Sequence, residues 1–202
     1  MSAREEILKS IRARKAAALP RPVSYAREIE GDLVARFSAC ASAANATVHI
    51  LDTLEEVPGC VADLLRARNL AAVVHFPTDA MLEGENWDRV TVSREAPGPD
   101  DTALSVAPYG VAETGTLVYP ASPERPASWH FRPGFEIAVL QADDIVPSLE
   151  AALSKLRERD WPHTINLVTG PSRTADIEQT LELGAHGPKA LAILLIRARP
   201  AG

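Results

Sequence analysis

The segment from Ile165 to Ile196 limits what this chain can fold into more than any other part of it. Ile165 to Val168 is a short apolar run, most simply a buried strand. Thr169-Gly170-Pro171-Ser172 has the composition of a turn. The spacing then predicts a helix over Thr174 to Leu183, closed by Gly184 just past its last apolar residue. Leu191 to Ile196 is apolar at every position, as expected of a strand covered on both faces. Together these pieces predict a strand–helix–strand unit. A polar loop stands at the carboxyl end of its first strand, where open α/β sheets usually hold ligands.

The chain before this segment carries a similar alternation. Ser2 to Leu19 reads as a helix opened by a capping box of Ser2 and Glu5, with one narrow apolar stripe of Ile7, Leu8 and Ile11. Pro20-Arg21-Pro22 ends it as a stiff linker, so residues 1–22 are expected to form an N-terminal helix and linker, and 23–202 one α/β domain. Arg27 to Ala44 reads as a second helix and Thr47 to Leu51 as a strand. Thr53 and Glu56 form another capping box, opening a helix that runs to about Arg68. Ala71 to Phe76 is a buried strand. This is the alternation of a parallel, doubly wound sheet.

Pro77 to Asp101 interrupts the pattern, with only Val90 to Ser93 strand-like; a connection this long is usually functional or mobile. Leu104 to Ala107 resumes the sheet, and Ala112 to Tyr119 sets a polar quartet at the front of a strand. A second irregular loop, Pro120 to Gly134, carries Arg125, Trp129, His130 and Arg132. Phe135 to Leu140 reads as a strand and Ala142 to Arg159 as a helix.

Composition removes several functions. A net charge of −6 argues against nucleic acid or an anionic membrane surface as the main partner. Two cysteines, Cys40 and Cys60, are too few to hold an iron–sulfur cluster or a zinc ribbon. Histidines lack His-x-x-x-His spacing or a nearby cysteine, so no metal site is expected. His49 and His75 fall in strands and read as hydrogen-bonded structural residues. No run approaches the roughly 18 apolar residues of a membrane span, and the amino terminus lacks a secretory core. A cytoplasmic protein is the expectation.

Three groups of residues can do chemistry. Gly170 lets the backbone turn, Ser172 and Thr174 can cap a helix whose free amides attract anions, and Arg173 offers a planar donor to a carboxylate or phosphate. A capped helix start with a surface arginine has the same composition. Glu113-Thr114-Gly115-Thr116 sets a carboxylate beside two hydroxyls, suited to a base or nucleophile, or to a self-satisfied turn. His186, between two chain breakers, is a proton carrier or an ordinary loop histidine.

Gly110-Val-Ala-Glu-Thr-Gly-Thr-Leu-Val118, Thr169-Gly-Pro-Ser-Arg-Thr-Ala-Asp-Ile-Glu178 and Gly184-Ala-His-Gly-Pro-Lys-Ala-Leu191 together resemble the LUD-domain family, the lactate-utilisation protein C group also called the YkgG family. The likeness in order and spacing runs from about Asp101 to Ile196. One departure is visible: Glu136 stands where the family commonly has a His. The resemblance implies a mostly parallel Rossmann-like sheet with helices on both faces, similar to the NagB/RpiA/CoA-transferase-like fold, plus the N-terminal helix. It implies a part in oxidising L-lactate to pyruvate with iron–sulfur partner subunits. This chain would be the cluster-free component, without a cofactor of its own. By the same analogy Glu113 and His186 are the candidate catalytic residues. Thr114, Gly115, Thr116, Gly170, Ser172, Arg173 and Thr174 would bind a small carboxylate or phosphate. Two alternatives stand beside this reading: a stand-alone CoA-transferase- or sugar-phosphate-isomerase-like enzyme using Glu113, and a non-catalytic assembly subunit.

Overall fold

A computed structural model describes residues 3–14, 29, 31–123, 125–159, 161–175, 181–183 and 187–197, with the backbone alone at 174–175 and 181–183. His186, the Ser2 cap, the Pro20–Pro22 linker and Gly184 lie outside the described residues.

Helix α1 spans Ala3–Ala13 and buries none of its residues, as its narrow apolar stripe implies. Helix α2 spans Leu33–Ala43, several residues later than the periodicity predicts. Its start is set by Asp32, whose carboxylate accepts from the amides of Val34 and Ala35 at 2.8 and 3.2 Å. It ends on Asn45 in the left-handed conformation (φ 68°), with Ala46 N–H bonded to Ala41 O and Asn45 N–H to Ser42 O. Strand β1 is Thr47–Leu51, and the Thr53/Glu56 capping box leads through one tight turn into α3, Val57–Ala67. Then follow β2 (Val73–His75), β3 (Thr91–Ser93), β4 (Thr102–Ala107), β5 (Tyr109–Val111), β6 (Thr116–Pro120), the short helix α4 (Ser128–Phe131) and β7 (Phe135–Gln141). The chain continues with β8 (Ile145–Val146), α5 (Leu149–Arg157), β9 (Ile165–Val168), β10 (Arg173–Ala175), β11 (Leu181–Leu183) and β12 (Ala190–Ile196).

Six strands form one sheet in the order β1-β12-β7-β4-β2-β3, every pairing parallel among the described residues. Its middle strands are the most apolar segments of the chain, Phe135–Gln141 and Ala190–Ile196, because both of their faces are covered. Alternate residues go to opposite faces. Ile137, Val139, Leu194 and Ile196 pack with Val57, Val61 and Leu65 of α3. Ala138, Leu140, Ile193 and Leu195 pack with Phe37 and Ala41 of α2. Each such leucine or isoleucine contributes about 1.5–3 kcal/mol when withdrawn from water. The Pro77–Asp101 connection folds onto the α3 side through buried Leu82 and Val90.

Two parts of the expected plan are corrected. The strand–helix–strand unit at Ile165–Ile196 does not exist as such. Strand β9 belongs to a second, four-stranded sheet of order β8-β5-β6-β9, where it runs antiparallel to β6, while β12 lies in the large sheet. Where a helix is predicted over Thr174–Leu183, the ends of that span instead pair as an antiparallel hairpin, with Thr174 opposite Glu182. Leu181 and Leu183, two residues apart, fit the period of a strand as well as they fit a helix. Likewise, the helix predicted from Ala142 begins only at Leu149, under the Ser148 cap. Ile145 and Val146 are instead β8, paired with Gly110 and Val111. The small sheet forms a second layer against the α2 face of the large one, and α5 covers its outer side through Ala152 and Leu156. The result is α/β with a mostly parallel sheet between helices, and a small sheet inserted as an extra layer.

Candidate functional site

The small sheet brings two of the motif segments together. Val111 and Thr116 pair across the β5–β6 hairpin, and the quartet Glu113–Thr116 makes its turn. The Thr169–Ser172 loop follows β9, the neighbour of β6, so both loops meet at one end of this sheet. Thr114 Oγ1 and Thr116 Oγ1 are 2.6 Å apart, and Thr116 Oγ1 is 2.7 Å from Thr169 Oγ1. Three hydroxyls thus form one hydrogen-bonded chain between the loops.

Both loops rest on the carboxyl end of α2, and this explains their glycines. Gly115 (φ 68°) would place a Cβ 2.2 Å from the amide nitrogen of Ala41. Gly170 (φ 70°) would place one 2.0 Å from the carbonyl oxygen of Ala44. Left-handed backbone and close approach together leave no room for a side chain at either position.

Beside these loops lies an open groove of about 530 Å³. Thr169, Gly170, Pro171, Ser172 and Arg173 form one wall; Gly187, Pro188, His130 and Phe131 complete it. Ser172 N–H donates to Pro188 O at 2.9 Å, closing the loop against the irregular segment that leads into β12. Thr116 reaches the groove through Thr169. Glu113 does not line it; its amide donates to Pro147 O at 3.2 Å. Thr174 lies in β10 and not at a helix start, so among the described residues no helix amino terminus supplies anion-attracting amides here. The helix ends among its described lining residues are the carboxyl ends of α2 and of the short α4, and a carboxyl end disfavours an anion. Arg173 supplies a guanidinium-bearing side chain among the groove's described lining residues.

A second polar group sits deeper, and the sequence reading did not assemble it. Glu136 is fully buried in β7 on the side facing the small sheet. Its Oε1 accepts from Ser105 Oγ at 2.8 Å and meets His130 Nδ1 at 2.8 Å. Ser105 spends its single proton on Glu136, so Tyr119 donates its hydroxyl proton to Ser105 Oγ at 3.0 Å. The rings of Tyr119 and His130 stack with centroids 3.8 Å apart. Burial pushes the Tyr119 phenol well above its usual value, and the neighbouring Glu136 carboxylate adds to that shift. The other oxygen, Glu136 Oε2, has no hydrogen-bond partner among the described residues. A clue was available: one carboxylate inside the otherwise apolar run Phe135–Leu140 has to be paired when buried. His130, read as a loop residue, is a buried member of α4.

Ser105, Tyr119 and His130 also line a nearly closed cavity with about 20 Å³ of free space, room for about one water. Trp129 forms part of its wall, and Arg125, paired with Asp79 at 2.6 Å, lies at its side. His130 is thus shared between this cavity and the open groove. Of the remaining histidines, His75 Nδ1 bonds to Glu95 O at 3.0 Å. His49 departs from the expectation: its Nε2 is buried without a partner among the described residues, and burial lowers its pKa. Cys40 and Cys60 are both free thiols. Among the described residues no cluster of three or more His, Cys, Asp or Glu is placed to hold a metal ion, and no helix is long and apolar enough to cross a membrane.

Known proteins resemble the chain in sequence and in fold. The "Uncharacterized protein NMB1437" of Neisseria meningitidis serogroup B is 39% identical over 98 residues, 48% of this chain and 42% of that protein. The "Lactate utilization protein C" of Anoxybacillus flavithermus is 36% identical over 129 residues, 61% of this chain and 59% of that one. The chain thus spans about half the length of these curated relatives. Among solved structures, a DUF162 family protein from Deinococcus radiodurans has the same fold, with a TM-score of 0.56 at 18% identity, covering 81% of this chain and 96% of that one. The LUD domain model matches residues 94–196, just over half of the chain and including both the Glu113–Thr116 turn and the Thr169–Ser172 loop, and the chain belongs to the LUD-domain family.

Proposed function

We propose that this chain is the cluster-free component of a lactate-utilisation system and binds a small carboxylate in the groove at Arg173. The observation that carries the reading is the 2.7 Å bond between Thr116 and Thr169, which joins two family motifs beside a groove that Arg173 lines. Such a group pairs with a carboxylate through two parallel hydrogen bonds. Relatives named lactate utilization protein C give the ligand class its support. Oxidation of lactate to pyruvate releases two electrons and two protons. Two cysteines cannot ligate a cluster of the four-cysteine kind, so the electrons would pass to iron–sulfur partner subunits.

Calorimetric titration of the protein with L-lactate, pyruvate, inorganic phosphate and CoA tests the reading. A carboxylate should bind saturably, and Arg173→Ala should weaken it about tenfold or more, since a hydrogen bond to a charged group contributes about 1.5–3 kcal/mol. No binding of either carboxylate, or equal binding by wild type and Arg173→Ala, contradicts it.

A further inference from the structure

We propose that His130, held by the buried carboxylate of Glu136, recognises the second oxygen of the groove's ligand, the hydroxyl or oxo group next to its carboxylate. This rests on the reading of the groove as a carboxylate site. Three features of the interior lead to it. First, His130 is almost wholly buried, yet it is part of the groove wall that Arg173 also shapes. Second, its orientation is over-determined. Nδ1 is fixed to Glu136 Oε1 at 2.8 Å, and the ring face is stacked on Tyr119. The proton on Nδ1 points to the carboxylate, which leaves Nε2 as the nitrogen for a ligand. A neutral ring then accepts from a hydroxyl at Nε2, and a protonated ring donates to an oxo oxygen there. One residue therefore serves both members of a hydroxy acid/oxo acid pair. Third, the supporting network is more than a core fastening needs. Ser105 and Tyr119 extend it by two hydroxyls, and Glu136 Oε2 is buried with no hydrogen-bond partner among the described residues. Leaving a buried carboxylate oxygen unsatisfied is costly, and such groups concentrate where a site has to be charged and rigid. Glu136 is in these terms a positioning residue: it acts through His130 and sets which nitrogen the ligand meets.

Propionate and L-lactate differ by the one hydroxyl that His130 would meet, so their affinity ratio reads this contact alone. Titration of both acids into the wild type should show lactate bound about tenfold more tightly, the worth of one good hydrogen bond. His130→Asn places an amide nitrogen near the position of Nδ1 and nothing at Nε2. It should keep the bond to Glu136 and the thermal midpoint within a few degrees. The lactate preference should disappear while propionate affinity stays unchanged. Glu136→Gln, close to isosteric, should reduce the preference in the same sense and also spare propionate. Arg173→Ala should weaken both acids equally. A folded His130→Asn protein that still prefers lactate as the wild type does overturns the role of His130 and leaves the carboxylate site standing. A wild type that binds neither acid overturns the groove reading and this inference together.

Discussion

Tyr119 shows how far one side chain's surroundings decide its behaviour. It is buried beside the Glu136 carboxylate, and its phenol holds its proton far more strongly than the ordinary value of about 10. In the unfolded chain the same phenol ionises near 10. Below that pH both states are protonated and stability does not depend on this group. Above it the unfolded state loses the proton first, so stability falls as pH rises, by about 1.4 kcal/mol per pH unit, until the folded value is reached. Urea unfolding between pH 9 and 11 should show a decline that is shallower in Tyr119→Phe by about that slope. At pH 7 the same substitution should cost about 1 kcal/mol through the lost bond to Ser105. Identical slopes in the two proteins would contradict the placement of Tyr119. At this scale the sequence is partly legible. Arg173, Ser172 and Gly170 line the groove, although Thr174 lies in a strand and not at the helix start that their composition suggests. Ser105 and Tyr119 carry no local signal, because what makes them a site is Glu136, more than ten residues away along the chain from either.

Among the elements, the carboxyl end of α2 does the positioning, since both motif turns lie against it. Gly115→Ala and Gly170→Ala each force a Cβ into its backbone and a side chain into left-handed φ. The conformational cost is about 1–2 kcal/mol and the overpacking about 1–3 more. Both variants should show urea midpoints lowered by a corresponding amount, whereas Gly84→Ala, which meets nothing within 4 Å, should leave the midpoint nearly unchanged. Strands β4, β7 and β12 are readable from their apolar runs, because burial on two faces leaves a continuous signal, while β1 and β9, each half-exposed at the edge of a sheet, are readable from shorter apolar runs. The hairpin of β10 and β11 and the two-residue β8 are not. A strand of two or three residues is too short to show its period, and Ile145 and Val146 continue the helical spacing of Leu149, Leu153 and Leu156 closely enough to be absorbed into that helix. Their partners, Gly110 and Val111, decide the matter through space.

The whole molecule is a parallel sheet covered by α3 on one face and by α2 with a small sheet on the other. The parallel character of the large sheet follows from the alternating elements of the sequence, but its strand order does not, since β12 returns between β1 and β7. The second sheet does not, because it is assembled from strands scattered between Tyr109 and Val168 that earn burial only together. That layer carries the β5–β6 turn and the β9 loop to one edge and seals the Glu136 network behind them, so the groove is a property of the tertiary arrangement. The account's central claim, that this groove serves lactate utilisation through Arg173, is tested most directly by growth on L-lactate of a source strain lacking this chain. The wild-type protein should restore growth and Arg173→Ala, present at the same level, should restore little or none. Equal rescue by the two proteins, or undiminished growth of the strain without the chain, would contradict it.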